Sequence, residues 1–113
     1  MNLGKKKGCL PIDEAEKKIN AYAREQRDDL ELVFTRHANW RREKRDITTP
    51  DTLHVLAYGY VEGEPEESTR PDCCKYKICG RTPNSGNREI ALVVIPDPNK
   101  PAIKIVTAMW KDL

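Results

Sequence analysis

The segment R-E-I-A-L-V-V-I-P-D-P-N-K-P-A-I-K-I-V-T-A-M, residues 88–109, decides the fold. Its two halves, Arg88–Pro96 and Ala102–Met109, are rich in β-branched residues, and Pro98 and Pro101 break the chain between them. In both halves the two alternating sets of side chains are largely apolar, which is the pattern of central strands covered on each side. A short connection of this kind joins antiparallel neighbours.

Working back from this hairpin, Tyr60–Glu64 and Lys75–Gly80 read as two further strands, bounded by Pro65, Pro71, Pro83 and Gly86. An antiparallel meander follows. Before Gly59 the period becomes helical. In I-T-T-P-D-T-L-H-V-L-A-Y-G, Thr49 is placed to cap, Pro50 to occupy the first helical position, and Gly59 to supply a left-handed exit. Leu53, Leu56 and Ala57 would face the core, with His54 on the polar side. Leu30–Phe34 reads as a short strand, and Thr35 can cap a basic helix ending near Asp46. From Ile12 to Asp28 an amphipathic helix is predicted, with Ile12, Ala15, Ile19, Tyr22 and Ala23 at helical spacing. Asp13, Glu14 and Glu16 begin it and Arg24 and Arg27 end it, in the sense the helix dipole favours. The expected architecture is α+β in two layers, with N-terminal helices packed on an antiparallel sheet of about four to five strands. Residues 1–11, carrying Lys5, Lys6 and Lys7 among glycines, should be mobile, and 12–113 should form one domain.

With 113 residues, 34% of them charged and 38% hydrophobic, the chain can bury one ordinary core beneath a highly charged surface. The net charge of +2 does not by itself predict nucleic-acid binding, so its distribution matters more. Basic residues gather between 36 and 45, whereas Glu62, Glu64, Glu66 and Glu67 form what reads as an acidic loop. No apolar run has the length of a membrane span, and M-N-L-G-K-K-K-G-C-L-P lacks the apolar core of a secretory signal, so a cytoplasmic location is expected. Cys73 and Cys74 are adjacent, Cys79 lies in a strand and Cys9 is remote, which leaves no C-x-x-C pair for a zinc ribbon. Reduced structural thiols are the expectation, with a disulfide or redox role and a metal site as alternatives. No Walker or dinucleotide glycine loop, H-E-x-x-H, G-x-S-x-G or calcium loop occurs, and no cofactor is expected.

The chemistry concentrates in F-T-R-H-A-N-W-R-R-E-K-R-D-I-T, residues 34–48. If Thr35 starts a helix, steps of four advance only roughly 40° around it, so His37, Arg41 and Arg45 project from nearly one face. An imidazole beside two guanidinium groups can move a proton and offset phosphate charge, the needs of metal-free RNA cleavage. Two plainer readings compete: a solvated basic helix face, and a His37 that fixes the strand–helix corner by hydrogen bonding.

On Thr35, His37, Ala38, Arg41, Arg45, Ile47 and Thr48 the chain resembles a family of small bacterial toxin-like domains. That family carries the signature S/T-x-H-A-x-x-R-x-x-x-R-x-I-S/T, then a short helix ending in glycine and an antiparallel sheet. The resemblance runs from about Val33 to Trp110, with Gly59 and Thr107 at further matching places. Asp46 stands where the family usually has Gly, and Arg42 where an apolar residue is common. The family is similar to a distant branch of the RelE, BrnT and MqsR ribonuclease toxins. The resemblance therefore implies a RelE-like fold, RNA as substrate, and a cognate antitoxin with a zinc-binding or helix-turn-helix part. Because such toxins present Lys, Arg and Tyr from a sheet, it also implies RNA contacts by Lys75, Tyr76, Lys77, Arg81 and Arg88. Trp110 is a candidate to stack on a base, although a tryptophan there more often closes the core, and the same applies to Trp40.

The functional expectation is a type II toxin that cleaves mRNA as a metal-independent endoribonuclease, with His37, Arg41 and Arg45 catalytic. The alternatives are a non-catalytic RNA- or protein-binding module of the same fold, and a degenerate toxin serving as a scaffold.

Overall fold

A computed structural model of the protein describes residues 9–68, 73–83 and 86–111. Three helices, α1 (Ile12–Arg24), α2 (Arg36–Lys44) and α3 (Thr49–Tyr58), accompany five strands. The strands are β1 (Glu31–Phe34), β2 (Tyr60–Glu67), β3 (Cys74–Thr82), β4 (Arg88–Pro96) and β5 (Ala102–Trp110), in the spatial order β1-β5-β4-β3-β2. The expected α+β fold, with helices packed on a five-stranded sheet, is what forms. From β2 to β5 the strands make the antiparallel meander, but β1 pairs parallel with β5 (Glu31 opposite Ala102, Phe34 opposite Ile105), so the sheet is mixed.

Ile19, Ile47, Leu56, Ile78, Ile90, Leu92, Ile103 and Ile105 are fully buried between helices and sheet. Each contributes roughly 1.5–3 kcal/mol by leaving water. Polar groups of α1 tie the next junction down: buried Asn20 donates Nδ2–H to the Leu56 carbonyl at 2.7 Å, and Glu16 Oε1 accepts Val61 N–H at 2.8 Å. These bonds satisfy groups that the end of α3 and the start of β2 would otherwise leave orphaned.

The central strands are covered differently from expectation. Cys74, Tyr76 and Ile78 of β3 face the helices, while Lys75, Lys77 and Arg81 alternate onto the opposite face. No described helix packs on that face, yet Cys79 and Ala91 are buried there. Long side chains, with Glu62, Lys77, Glu89 and Lys111 around Cys79, substitute for a second layer. The acidic run is likewise not a loop: Glu62, Glu64, Glu66 and Glu67 all lie on β2.

Two caps differ in detail. Thr48, not Thr49, caps α3, its Oγ1 accepting Asp51 N–H at 3.1 Å while Asp51 Oδ2 accepts Thr48 N–H at 3.1 Å. Gly59 leaves the helix in extended backbone (φ −81°, ψ 178°) rather than left-handed. Its need for glycine is steric, since a Cβ would stand 2.4 Å from Val55 O and 2.6 Å from Cys79 O.

The first eleven residues contain the other correction. Residues 1–8, with Lys5, Lys6 and Lys7, lie outside the described residues, as does Pro71. Cys9, however, is disulfide-bonded to Cys74, with Cα atoms 5.5 Å apart, and Leu10 packs on the core. The expectation of four reduced thiols fails for this pair, because a contact between positions 65 residues apart leaves no spacing signal. Cys73 and Cys79 are buried outside that bond, and burial pushes the Cys79 thiol up, which keeps it protonated and inert.

Candidate nucleic-acid interface on α2

Thr35 starts α2: its Oγ1 accepts Ala38 N–H at 3.0 Å and donates to the Val106 carbonyl at 3.3 Å. One hydroxyl thus caps the helix and fastens it to β5, beyond the point where β1 stops pairing. Ala38 is the buried residue of the helix, set against the core, and a larger side chain there would push α2 off β5. The helix therefore lies along the sheet edge with most of its surface outward.

That geometry divides the predicted catalytic residues. His37 is exposed, and its Nε2 accepts the Nε–H of half-buried Arg41 at 3.2 Å. The bond engages the Nε2 lone pair, so the ring can accept a proton there only when Arg41 lets go. Arg45 turns away: its Nη1 donates to the Ala108 carbonyl of β5 at 2.8 Å, and its own carbonyl accepts the Trp110 Nε1–H at 2.7 Å. It anchors the helix end instead of joining His37 and Arg41. The reason is register, because the residue at 45 ends α2 on the side facing β5.

The two departures from the family signature have local explanations. Asp46 adopts φ 55°, a left-handed conformation that glycine takes freely and Asp tolerates. Arg42 lays its guanidinium 4.7 Å over the Phe34 ring, covering apolar surface as an apolar residue would, and leaves its Nε without a hydrogen-bond partner among the described residues.

The sheet candidates scatter. Tyr76 is buried on the helix side with its hydroxyl donated to the Leu10 carbonyl at 2.8 Å, and burial pushes the phenol up, so it is a core residue. Trp110, 8% exposed, closes the core under the Arg88 guanidinium, which sits 4.0 Å from the ring. Both rings are buried, which leaves little surface for a base to stack on. Arg88 stands on the helix side with Trp110 and not with the lysines. Lys75, Lys77 and Arg81 do share the open face, where Lys77 pairs with Glu62 at 3.2 Å and Arg81 Nη1 binds the Asn87 carbonyl at 3.0 Å.

Beside Lys77, a network that sequence reading missed joins β2, β4 and the end of β5. Tyr60 donates to Glu89 Oε2 at 2.5 Å, and Lys111 Nζ reaches the Tyr60 hydroxyl at 3.1 Å and Glu62 Oε1 at 2.5 Å. The hydrogen bond to Glu89 holds the Tyr60 phenol above its ordinary range, and Lys111 and Lys77 hold the Glu62 carboxyl below its own. Its members come from distant positions, so only strand register could have revealed it. Sequence reading also assigned Trp40 to the core, whereas it is 52% exposed, with Arg41 Cζ 5.6 Å and Lys44 Nζ 5.8 Å from its ring centroid. Among the described residues no three His, Cys, Asp or Glu side chains are grouped to hold a metal ion.

Residues 34–110 match the family described as "Domain of unknown function (DUF4258)". The match spans most of the chain, from the last residue of β1 through β5, and the chain belongs to that family. No curated protein and no solved structure matches it significantly.

Proposed function

We propose that the protein is the toxin of a type II toxin–antitoxin pair and cleaves RNA as a metal-independent endoribonuclease. The observation that supports this most is the His37–Arg41 pair, an exposed imidazole whose Nε2 lies 3.2 Å from the Arg41 Nε on a cationic helix. In this reading Arg41 turns from Nε2 to the phosphate, His37 takes the proton of a ribose 2′-hydroxyl on the lone pair so released, and the freed oxygen attacks the adjacent phosphorus. Arg41 offsets the charge gathering on the phosphorane. The bond to the 5′-oxygen then breaks, the imidazolium returns its proton to that oxygen, and a 2′,3′-cyclic phosphate remains. Arg45 keeps its part indirectly, by fixing α2 to β5. RNA and a cognate antitoxin are the partners, the antitoxin covering the α2 face.

Induced expression with and without the neighbouring gene tests the biology, since growth and RNA that stay intact in both cases would sink the toxin. Cleavage by purified protein should persist in EDTA.

A second reading has an observation of its own. Because the Arg45 guanidinium is committed to the Ala108 carbonyl, the site holds one imidazole and one guanidinium for three chemical tasks. A module that binds RNA without cutting it needs no more than that. His37→Ala separates the two: cleavage lost with affinity kept supports the enzyme, and no change in either assigns His37 to structure.

The compartment proposed is the cytoplasm. No described helix is long and apolar enough to cross a membrane, but the Cys9–Cys74 disulfide pulls the other way, because cytosolic thiols are kept reduced. Counting alkylatable thiols before and after reduction, in protein taken from the cytoplasm, tests which state the chain keeps there.

A further inference from the structure

We infer that Trp40 is a stacking platform and that the substrate at the α2 site is a single-stranded stretch of RNA with one base laid on its indole. The inference rests on the ribonuclease or RNA-binding reading of that site and adds to it the class of RNA.

At 100° per residue, Trp40, Lys44, His37 and Arg41 fall within about 100° of arc on α2, running from Trp40 nearly opposite buried Ala38 to half-buried Arg41 about 60° from it. Their contacts agree with that placement. Arg41 is the link, with its Nε 3.2 Å from the imidazole and its guanidinium carbon 5.6 Å from the indole centroid. Lys44 approaches the same ring from the next turn at 5.8 Å. A base resting on the indole would therefore carry its own phosphate toward Arg41 and Lys44, and its ribose toward His37.

The indole is 52% exposed on a helix whose buried residue is Ala38, so the core does not explain it. Its neighbours fit an anion: among the described residues Arg36, Arg41 and Lys44 form no ion pair with a carboxylate, while the ion pairs of Lys77 and Lys111 all lie on the open sheet face. Aromatic rings flanked by backbone-tracking cations are how proteins hold unpaired nucleotides, because every base has a face to stack and only an unpaired one can offer it. A duplex keeps its bases inside. The convex helix would then meet only phosphates, and Trp40 would contribute nothing.

The test uses the full chain, a fluorescently labelled single-stranded oligoribonucleotide, and the same strand annealed into a blunt duplex. Wild type should bind the single strand more tightly than the duplex. Trp40→Ala should weaken the single strand by about 5- to 150-fold, the span of one lost stacked base, and leave the duplex within about twofold. Trp40→Phe, which keeps a ring, should recover most of the loss. Circular dichroism of each variant should match wild type, as expected for a half-exposed side chain. Equal affinity of Trp40→Ala and wild type for the single strand would overturn the inference, as would a duplex bound as tightly. Cleavage and single-strand affinity both unchanged in Trp40→Ala would sink only this inference, binding without cleavage would sink only the ribonuclease, and no RNA binding by wild type would sink both.

Discussion

The outward face of α2 and the open face of the sheet are both cationic in sequence, and they end in opposite states. On the sheet, Lys77 and Lys111 converge on Glu62, and Lys111 also reaches Tyr60 and Glu89. Their charge is consumed within the fold. On α2, Arg41 and Lys44 contact a histidine and a tryptophan but no carboxylate. Both faces are solvated, so neither charge set is a large stability term. The difference lies in availability: an RNA phosphate arriving at Lys77 or Lys111 must displace a carboxylate, and at Arg41 or Lys44 it need not.

The largest effect that would break this contrast concerns catalysis. His37→Ala should reduce cleavage by about 10²- to 10⁴-fold, the usual contribution of a positioned base, with RNA affinity nearly unchanged. Lys77→Ala and Tyr60→Phe, the sheet counterparts, should leave cleavage within about twofold in the same gel-based rate assay. If the sheet variants fail and His37→Ala does not, the active face has been assigned to the wrong side of the molecule.

Next in size is the split between the two arginines of one helix. Arg45→Ala removes the donor to the Ala108 carbonyl and should cost about 1–3 kcal/mol of stability, seen as a lowered Tm. Arg41→Ala, partnered by an exposed histidine, should change Tm little and weaken RNA binding instead. A Tm loss for Arg41 equal to that of Arg45 would erase the distinction between anchor and contact.

Salt dependence sharpens the comparison further. If Lys44 meets a phosphate of single-stranded RNA, Lys44→Ala should reduce the slope of log K against log salt by about 0.7, whereas Lys77→Ala, already paired with Glu62, should not alter it. Equal slope changes would make the whole surface one diffuse field.

Much of the scaffold was legible in the sequence because local chemistry specified it. The β4 bounds, Pro50 in the first turn of α3, the cap at Thr35 and the alternation of Lys75 and Lys77 against Tyr76 and Ile78 follow from period and propensity. What was hidden depends on register and distance. The parallel β1–β5 pairing, the Cys9–Cys74 bond and the Tyr60–Glu89–Lys111 network join positions far apart in the chain. Within the candidate site, His37 and Arg41 could be paired from a spacing of four, but the fate of Arg45 could not. It was decided by where β1 stops and leaves β5 carbonyls to be satisfied. The two tryptophans were interchangeable for the same reason, since composition cannot say which of them the sheet will cover.

The smallest effect is the most specific test of the sheet network. Tyr60 is held above the ordinary tyrosine value of 10.0 first by its bond to Glu89, with Lys111 opposing. A raised folded value means that the contribution of this group is whole below the unfolded value and is lost as pH rises through the folded one. Glu62, lowered from 4.5, gives the mirror case: its contribution is present above that value and is lost as pH falls through the lowered one. The network should thus be intact between about pH 4.5 and 10 and weaken on either side, a window set by these two directions. A phenolate absorbance titration of Glu89→Gln should show one hydroxyl ionising earlier than in wild type, and Tyr60→Phe should delete that transition. An unmoved titration would mean that Tyr60 is not held by Glu89, and the open face would then be as free to receive phosphate as α2 is.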